Sequence, residues 1–148
     1  MKNVTIKSFA RELVVLMPAL MRGILKTQSD AIARGEITMP QYLILDLLET
    51  HGGLIMTELA HSLNVSLPAA SGMVDRLHAL SQIRRCRDPK DRRIIKILLT
   101  PKGHRVVRKV RSQRIKAIEK TFGRLTEEER QSYLKIIKKV YHVLDKKS

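Results

Sequence analysis

Between Arg84 and Lys96 the chain sets seven basic residues (Arg84, Arg85, Arg87, Lys90, Arg92, Arg93 and Lys96) around two acids, Asp88 and Asp91. Cationic side chains at this density attract phosphate, and a thin ribbon with arginine at its tip fits a narrow minor groove, where the negative potential of a duplex is strongest. Asp91 is spaced to hold Arg93 by a local ion pair and fix its direction. A solvated charged loop is the alternative. The turn chemistry and the pair of helices upstream favour the ribbon, because charge, turn and preceding elements agree.

The stretch upstream carries a different chemistry. On a helix from Leu67 to Leu80, the outward positions are Pro68, Ser71, Gly72, Asp75, Arg76 and Ala79. The Ser71 hydroxyl can donate to or accept from base edges, Pro68 or Ala69 can touch a thymine methyl, and Arg76 can reach phosphate or guanine. Bidentate readers such as Asn, Gln and Arg are absent near the start of this helix, so direct readout is expected to be modest.

Other reactive residues point to less. Cys86 lies between Arg85 and Arg87, and neighbouring positive charge makes a thiol more reactive. A redox switch and a plain strand cysteine both fit, and the plain reading is favoured. As the only cysteine, it forms no internal disulfide and no Cys-based zinc site. The five histidines (His51, His61, His78, His104 and His142) are nowhere spaced by three or four residues, so no helix presents two as metal ligands. There is no phosphate loop, nucleophile elbow or metalloprotease motif, so neither an enzyme nor a cofactor is expected.

The bulk properties agree with a polyanion binder. The 148 residues carry 29 Lys+Arg against 14 Asp+Glu, a formal charge of +15. Residues 1–64 hold six basic and six acidic residues, whereas residues 65–148 hold 23 and eight, so the whole excess lies in the second part. Nucleic acid is the default partner of such a surface, with an anionic membrane surface as competitor. No apolar run approaches the length of a membrane span and no signal-peptide block is present, so a soluble cytoplasmic chain is expected.

Positioning these residues requires a specific order of elements. Residues 4–34 read as a long helix with Phe9, Leu13, Leu16/Met17, Leu20 and Ile24 on one face, kinked near 14–18 by Pro18 and ended by a left-handed Gly35. A second helix opens at Thr38 or Met39 and ends at His51-Gly52-Gly53. It is apolar nearly all round, which predicts burial. Thr57 is expected to cap a short helix through Leu63, Asn64 to take positive φ, and Ser66 to cap Ala69 at the start of the next helix. Two short helices joined in this way form a helix-turn-helix. Ile83–Arg87 and Ile94–Leu99 then read as a β-hairpin around Asp88-Pro89. Thr100 to Gly103 caps a helix with Val107, Val110, Ile118, Phe122 and Leu125 on its apolar side. Its segment Lys102–Lys120 holds eight basic residues and one acid, suiting a solvated face, flanking phosphate contacts or an electropositive effector pocket. A last helix begins near Thr126 and carries Leu134, Ile137, Val140/Tyr141 and Leu144 at coiled-coil spacing.

Taken together, Thr57-Glu58-Leu59-Ala60, Leu63, Val65-Ser66, Val74-Asp75-Arg76-Leu77, Arg85, Arg87-Asp88-Pro89-Lys90-Asp91-Arg92-Arg93, Leu99-Thr100 and Gly103 resemble the MarR family of bacterial regulators. Ile37-Thr38-Met39-Pro40-Gln41-Tyr42 and Leu45 extend the match upstream. The resemblance covers residues 37–105 specifically and the flanking helices in layout only. It implies a mainly α, winged helix-turn-helix chain with a two-stranded β wing. The expected organisation is one domain over 1–148, with a DNA-binding lobe at 36–100 and dimerisation helices at 1–35 and 101–148.

As partners, the resemblance implies a second copy in a homodimer, a pseudo-palindromic double-stranded operator and release by a small effector, often an aromatic acid, or by an oxidant; no membrane partner is expected. DNA contacts are expected from Ser66, Pro68, Ala69, Ser71, Gly72, Arg76, Arg85, Arg87, Lys90, Asp91, Arg92 and Arg93, with Arg93 the wing-tip arginine and Asp91 its support. The chain departs from the pattern at Ser81 and Gln82, where the family usually has Gly-Leu. Two function classes stay open, an effector-released repressor and a constitutive or architectural DNA binder; an RNA-binding or membrane-surface module is more distant.

Overall fold

The computed structural model describes residues 4–26, 32, 34 and 36–145, so the expected Gly35 cap and most of 27–35 lie outside the described residues. Among the described residues, six helices and one hairpin follow in order: α1 Ile6–Lys26, α2 Met39–His51, α3 Met56–Leu63, α4 Leu67–Ala79, β1 Ile83–Arg87, β2 Ile95–Leu99, α5 Pro101–Phe122 and α6 Glu127–Asp145. No helix among the described residues is long and apolar enough to cross a membrane. The contacts divide the chain into two compact units, residues 28–114 and residues 1–27 with 115–148.

In the 28–114 unit each helix start is set by local chemistry. At α2, Thr38 and Gln41 form a capping box: Gln41 N–H donates to Thr38 Oγ1 at 3.4 Å and Thr38 N–H to Gln41 Oε1 at 2.9 Å. Pro40 sits in the first turn, where a missing N–H costs little. At α3 the expected Thr57 cap is replaced: the helix begins two residues earlier, Ile55 is the N-cap, and the Glu58 carboxylate accepts from Ile55 N–H at 2.9 Å. A side chain reaching back from the first turn thus supplies the partner that the cap residue itself lacks. Asn64 ends α3 at φ 53, and Ser66 caps α4 by accepting from Ala69 N–H at 3.3 Å, both as expected.

Ile37, Tyr42, Ile44, Leu45, Leu48, Leu59, Val74, Leu77, Ile83, Ile97, Leu99, Val107 and Val110 form one buried core. It joins α2, α3, α4, both strands and the first three turns of α5. Leu43 faces outward, so α2 is less completely buried than its composition predicts. Polar contacts secure α5 to α2. Arg111 Nη2 donates to Asp46 Oδ1 at 2.6 Å, Tyr42 OH donates to the same oxygen at 3.1 Å, and the Arg114 guanidinium lies 5.3 Å from the centre of the Tyr42 ring.

The wing is an antiparallel pair with Ile83 opposite Leu99 and Arg87 opposite Ile95. β2 starts at Ile95, one residue later than expected, because the Ile94 carbonyl and N–H bond to Asp88 and Asp91 in the turn. Leu54 adds a short third rung, exchanging backbone hydrogen bonds with Ile97 at 2.8 and 3.2 Å. Asp88 organises the base of the turn. It is buried, accepts from Lys90 N–H at 2.8 Å, and pairs with Lys96 Nζ at 2.7 Å.

Where α4 meets β1 the chain turns through Ser81 at φ 57, keeping the left-handed geometry that glycine favours. The adjacent Gln82 is buried at 6% exposure, and its Oε1 has no hydrogen-bond partner among the described residues. Its backbone bonds Leu77 and Thr100, and Thr100 Oγ1 donates to the Ser81 carbonyl at 2.7 Å. α5 starts so close that a Cβ on Gly103 would stand 2.1 Å from the Gln82 carbonyl oxygen.

The other unit contains α1, which runs continuously through Pro18, the end of α5, and α6. Thr126 and Glu129 cap α6 reciprocally at 3.2 and 2.8 Å, and Phe122 meets Tyr133 at 5.3 Å between ring centres. Phe9, Leu13, Met17 and Leu20 on α1, and Leu134, Ile137, Val140, Tyr141 and Leu144 on α6, are exposed in the single chain.

Two measurements check this reading. In urea unfolding, Ser81→Gly is expected to raise stability by about 1 kcal/mol by relieving the left-handed backbone, and Gly103→Ala to lower it by ~1–3 kcal/mol through the clash with the Gln82 carbonyl. The Asp88 carboxyl is held below its ordinary range, first by Lys96 and then by the Lys90 N–H. Its ionised form therefore stabilises the fold above the ordinary value of about 4, and that contribution is lost as pH falls through the depressed folded value. The stability gap between wild type and Asp88→Asn is expected to be present at neutral pH and to close in acid.

Candidate nucleic-acid interface

The start of α4 is fixed by the Ser66 cap and by the burial of Ala70, Val74 and Leu77 on its inner face. That inner face sets which residues point away. Pro68, Gly72, Asp75, Arg76 and Ala79 are exposed, as expected, and so is Ala69, while Ser71 is half-buried. A Cβ at Gly72 would meet nothing, so this part of the helix surface is open.

The wing tip forms the expected pair between Asp91 and Arg93. Arg93 Nε and Nη2 donate to the two Asp91 carboxylate oxygens, each at 3.2 Å, and Arg93 N–H donates to Oδ1 at 3.0 Å. The Asp91 carboxyl is held below its ordinary range, first by the Arg93 side chain and then by the Arg93 N–H. The Arg93 side chain is nevertheless 91% exposed. It is therefore oriented from below and open above. A forked guanidinium held in one direction at the tip of a two-stranded ribbon can enter a narrow groove with little further ordering.

The remaining cations divide into two groups. Arg76, Arg87, Lys90 and Arg92 have exposed side chains without ion-pair partners among the described residues. Lys96 is committed to Asp88, and Arg85 to Asp75 at 2.5 Å. The Arg85 pair joins β1 to the exposed side of α4, and so brings the wing and the helix together. Lys102 makes a second tie, donating from Nζ to the Leu80 carbonyl at 2.8 Å just beyond the end of α4. Neither pairing is legible locally, because the partners are ten and 22 residues apart. Cys86, half-buried on β1 opposite Lys96, accepts from Arg84 Nη1 at 2.8 Å.

The surface these elements offer is an apolar helix start beside a basic ribbon. It has the acceptor-poor, cation-rich chemistry of a phosphate-binding face, and the helix-turn-helix that carries it is the arrangement whose second helix enters a major groove.

Comparison with known proteins agrees with this surface. Residues 37–95 match the model of the MarR family. Over 113 residues, 76% of this chain and 73% of the relative, the chain is 31% identical to the HTH-type transcriptional repressor MdtR of Bacillus subtilis (strain 168). Its fold follows that of a MarR family protein from Bacillus stearothermophilus with a TM-score of 0.86 at 20% identity, covering 95% of this chain and 99% of the other. It also follows Bordetella bronchiseptica BpsR, described by the regulation of its DNA binding by 6-hydroxynicotinic acid (TM-score 0.66, 24% identity, 86% of this chain and 90% of the other). The chain belongs to the MarR family of DNA-binding transcriptional regulators.

Proposed function

We propose that this regulator is a homodimeric repressor that occupies a pseudo-palindromic operator and leaves it when a small anionic aromatic molecule binds. The observation that carries the DNA reading is the fixed but uncovered Arg93 guanidinium, paired with Asp91 on one side and 91% exposed. On this reading α4 lies in the major groove and the wing reaches the adjacent minor groove. Ser66, Pro68, Ala69, Ser71, Gly72 and Arg76 act from the helix, and Arg87, Lys90, Arg92 and Arg93 from the wing. Arg85 acts through Asp75 as a positioning residue, and Asp91 does the same for Arg93.

Dimer formation is supported by the exposed apolar stripes on α1 and α6, which no monomer would leave in water at this extent. A two-fold dimer places its half-sites one helical turn apart, about 10 bp. Repression is supported by the likeness to MdtR, and effector release by the likeness to BpsR, whose DNA binding responds to an aromatic acid. A solution mass matching two chains is the expected result in analytical ultracentrifugation.

The direct test is binding of purified protein to the DNA upstream of its own gene, against a scrambled duplex of equal length, by fluorescence anisotropy. Arg93→Ala is expected to weaken the preferred duplex by about ten- to a hundredfold while leaving the melting temperature unchanged, since the side chain is 91% exposed. Equal affinity of the variant and wild type would remove the wing from the interface.

A further inference from the structure

The first two turns of α4, Leu67 to Val74, contain no Arg, Lys, His, Asn, Gln, Asp or Glu. Their one polar side chain, Ser71, is half-buried. What this stretch exposes is apolar or bare: Leu67 at 47%, Pro68, Ala69, and the open surface at Gly72, with Val65 exposed in the turn before. The first charged side chains come at Asp75, which is engaged by Arg85, and Arg76. Arg76 stands nine residues beyond Leu67, a rise of about 13 Å along the axis. It is remote from the end of the helix that meets base edges in a helix-turn-helix.

Guanine is read by paired bonds from Arg or Lys, and adenine by paired bonds from Asn or Gln. This helix start offers neither. The one apolar group that the major groove presents is the C5-methyl of thymine. Three small or branched apolar side chains at the start of a recognition helix, with Val65 just before it, complement methyl groups and leave the polar edges of guanine and cytosine unpaired and desolvated, which is costly.

We infer that the start of α4 selects its operator by contact of Leu67, Pro68 and Ala69 with thymine methyl groups, so that the half-sites carry A·T pairs under this end of the helix. The wing favours the same composition for a separate reason, since A·T tracts have the narrow, electronegative minor groove that suits Arg93. The inference rests on the proposed DNA-binding function and adds to it the chemical feature that is read.

The test uses the full-length protein and duplexes recovered by repeated selection from a random-sequence library. Each thymine in the recovered half-sites is replaced in turn by deoxyuridine, which removes only the C5-methyl, and affinity is measured for wild type and Leu67→Ala. Because Leu67 is exposed, that variant keeps its fold, which circular dichroism checks. Thymines are expected at two or more positions per half-site, with a loss of about fourfold for each methyl removed. At one position the loss is expected to shrink in Leu67→Ala, the signature of a shared contact. A consensus fixed by G·C pairs, or deoxyuridine effects below about twofold at every thymine, overturns methyl readout and leaves DNA binding standing. Tight binding with no enriched sequence also overturns it. Failure to bind any duplex overturns the proposed function itself.

Discussion

The structure depends on one close backbone crossing. Between the end of α4 and the start of α5, the Gln82 carbonyl accepts from Thr100 N–H and lies where only the hydrogen of Gly103 leaves room. Four elements meet at this point: α4 arrives through Ser81, β1 departs from Gln82, β2 ends at Leu99, and α5 begins at Pro101. Because the backbones touch directly, the direction of the wing is set relative to α4 with little freedom from side-chain packing. The Lys102 bond to Leu80 and the Asp75–Arg85 pair add side-chain ties between the same elements. The proposed placement of the helix and the ribbon in two neighbouring grooves would require such a fixed angle, since base and groove contacts lose most of their value when the two elements move independently.

Charge is apportioned in the same spirit. Three acids in this region, Asp75, Asp88 and Asp91, each hold a cation of the wing, so not every basic residue there is available to a polyanion. Asp88 is spent on the turn, Asp75 on the joint, and Asp91 on aiming a guanidinium that stays in water. The cations left without ion-pair partners among the described residues lie on the ribbon, at Arg87, Lys90 and Arg92, and at Arg76. A count of basic residues therefore overstates the number of phosphate contacts, while the acids determine where those contacts can be made.

Most of the local structure was legible in the sequence, because it follows from interactions within four residues. The Ser66 cap, the left-handed Asn64, the Asp91–Arg93 pair and both strands to within one residue all have short-range causes. The α3 start shows the limit of that approach: Thr57 has the right residue type for a cap, but Leu54 pairing with Ile97 draws the preceding chain into the sheet, and the helix opens from Ile55 instead. The roles of Asp75, Asp88 and Asp46 were not legible, since each depends on a side chain brought near by the fold. Ser81 was legible as a departure from the family pattern, and the backbone there keeps the left-handed turn despite losing glycine. The likeness to the family was carried by residues spread from Ile37 to Gly103, which individually are common and together are specific.

The central claim is that an oriented basic wing and an apolar helix start act on one duplex, the first supplying electrostatic affinity and the second sequence preference. Its most direct test is the salt dependence of binding, measured in parallel on a selected duplex and on a scrambled one. The account predicts that log K falls steeply and linearly with log salt on both, with slopes of several units from counterion release. It also predicts that the selected duplex keeps its advantage as salt rises, because methyl contacts release no counterions. A flat salt response, or two curves that coincide at every salt concentration, would contradict it.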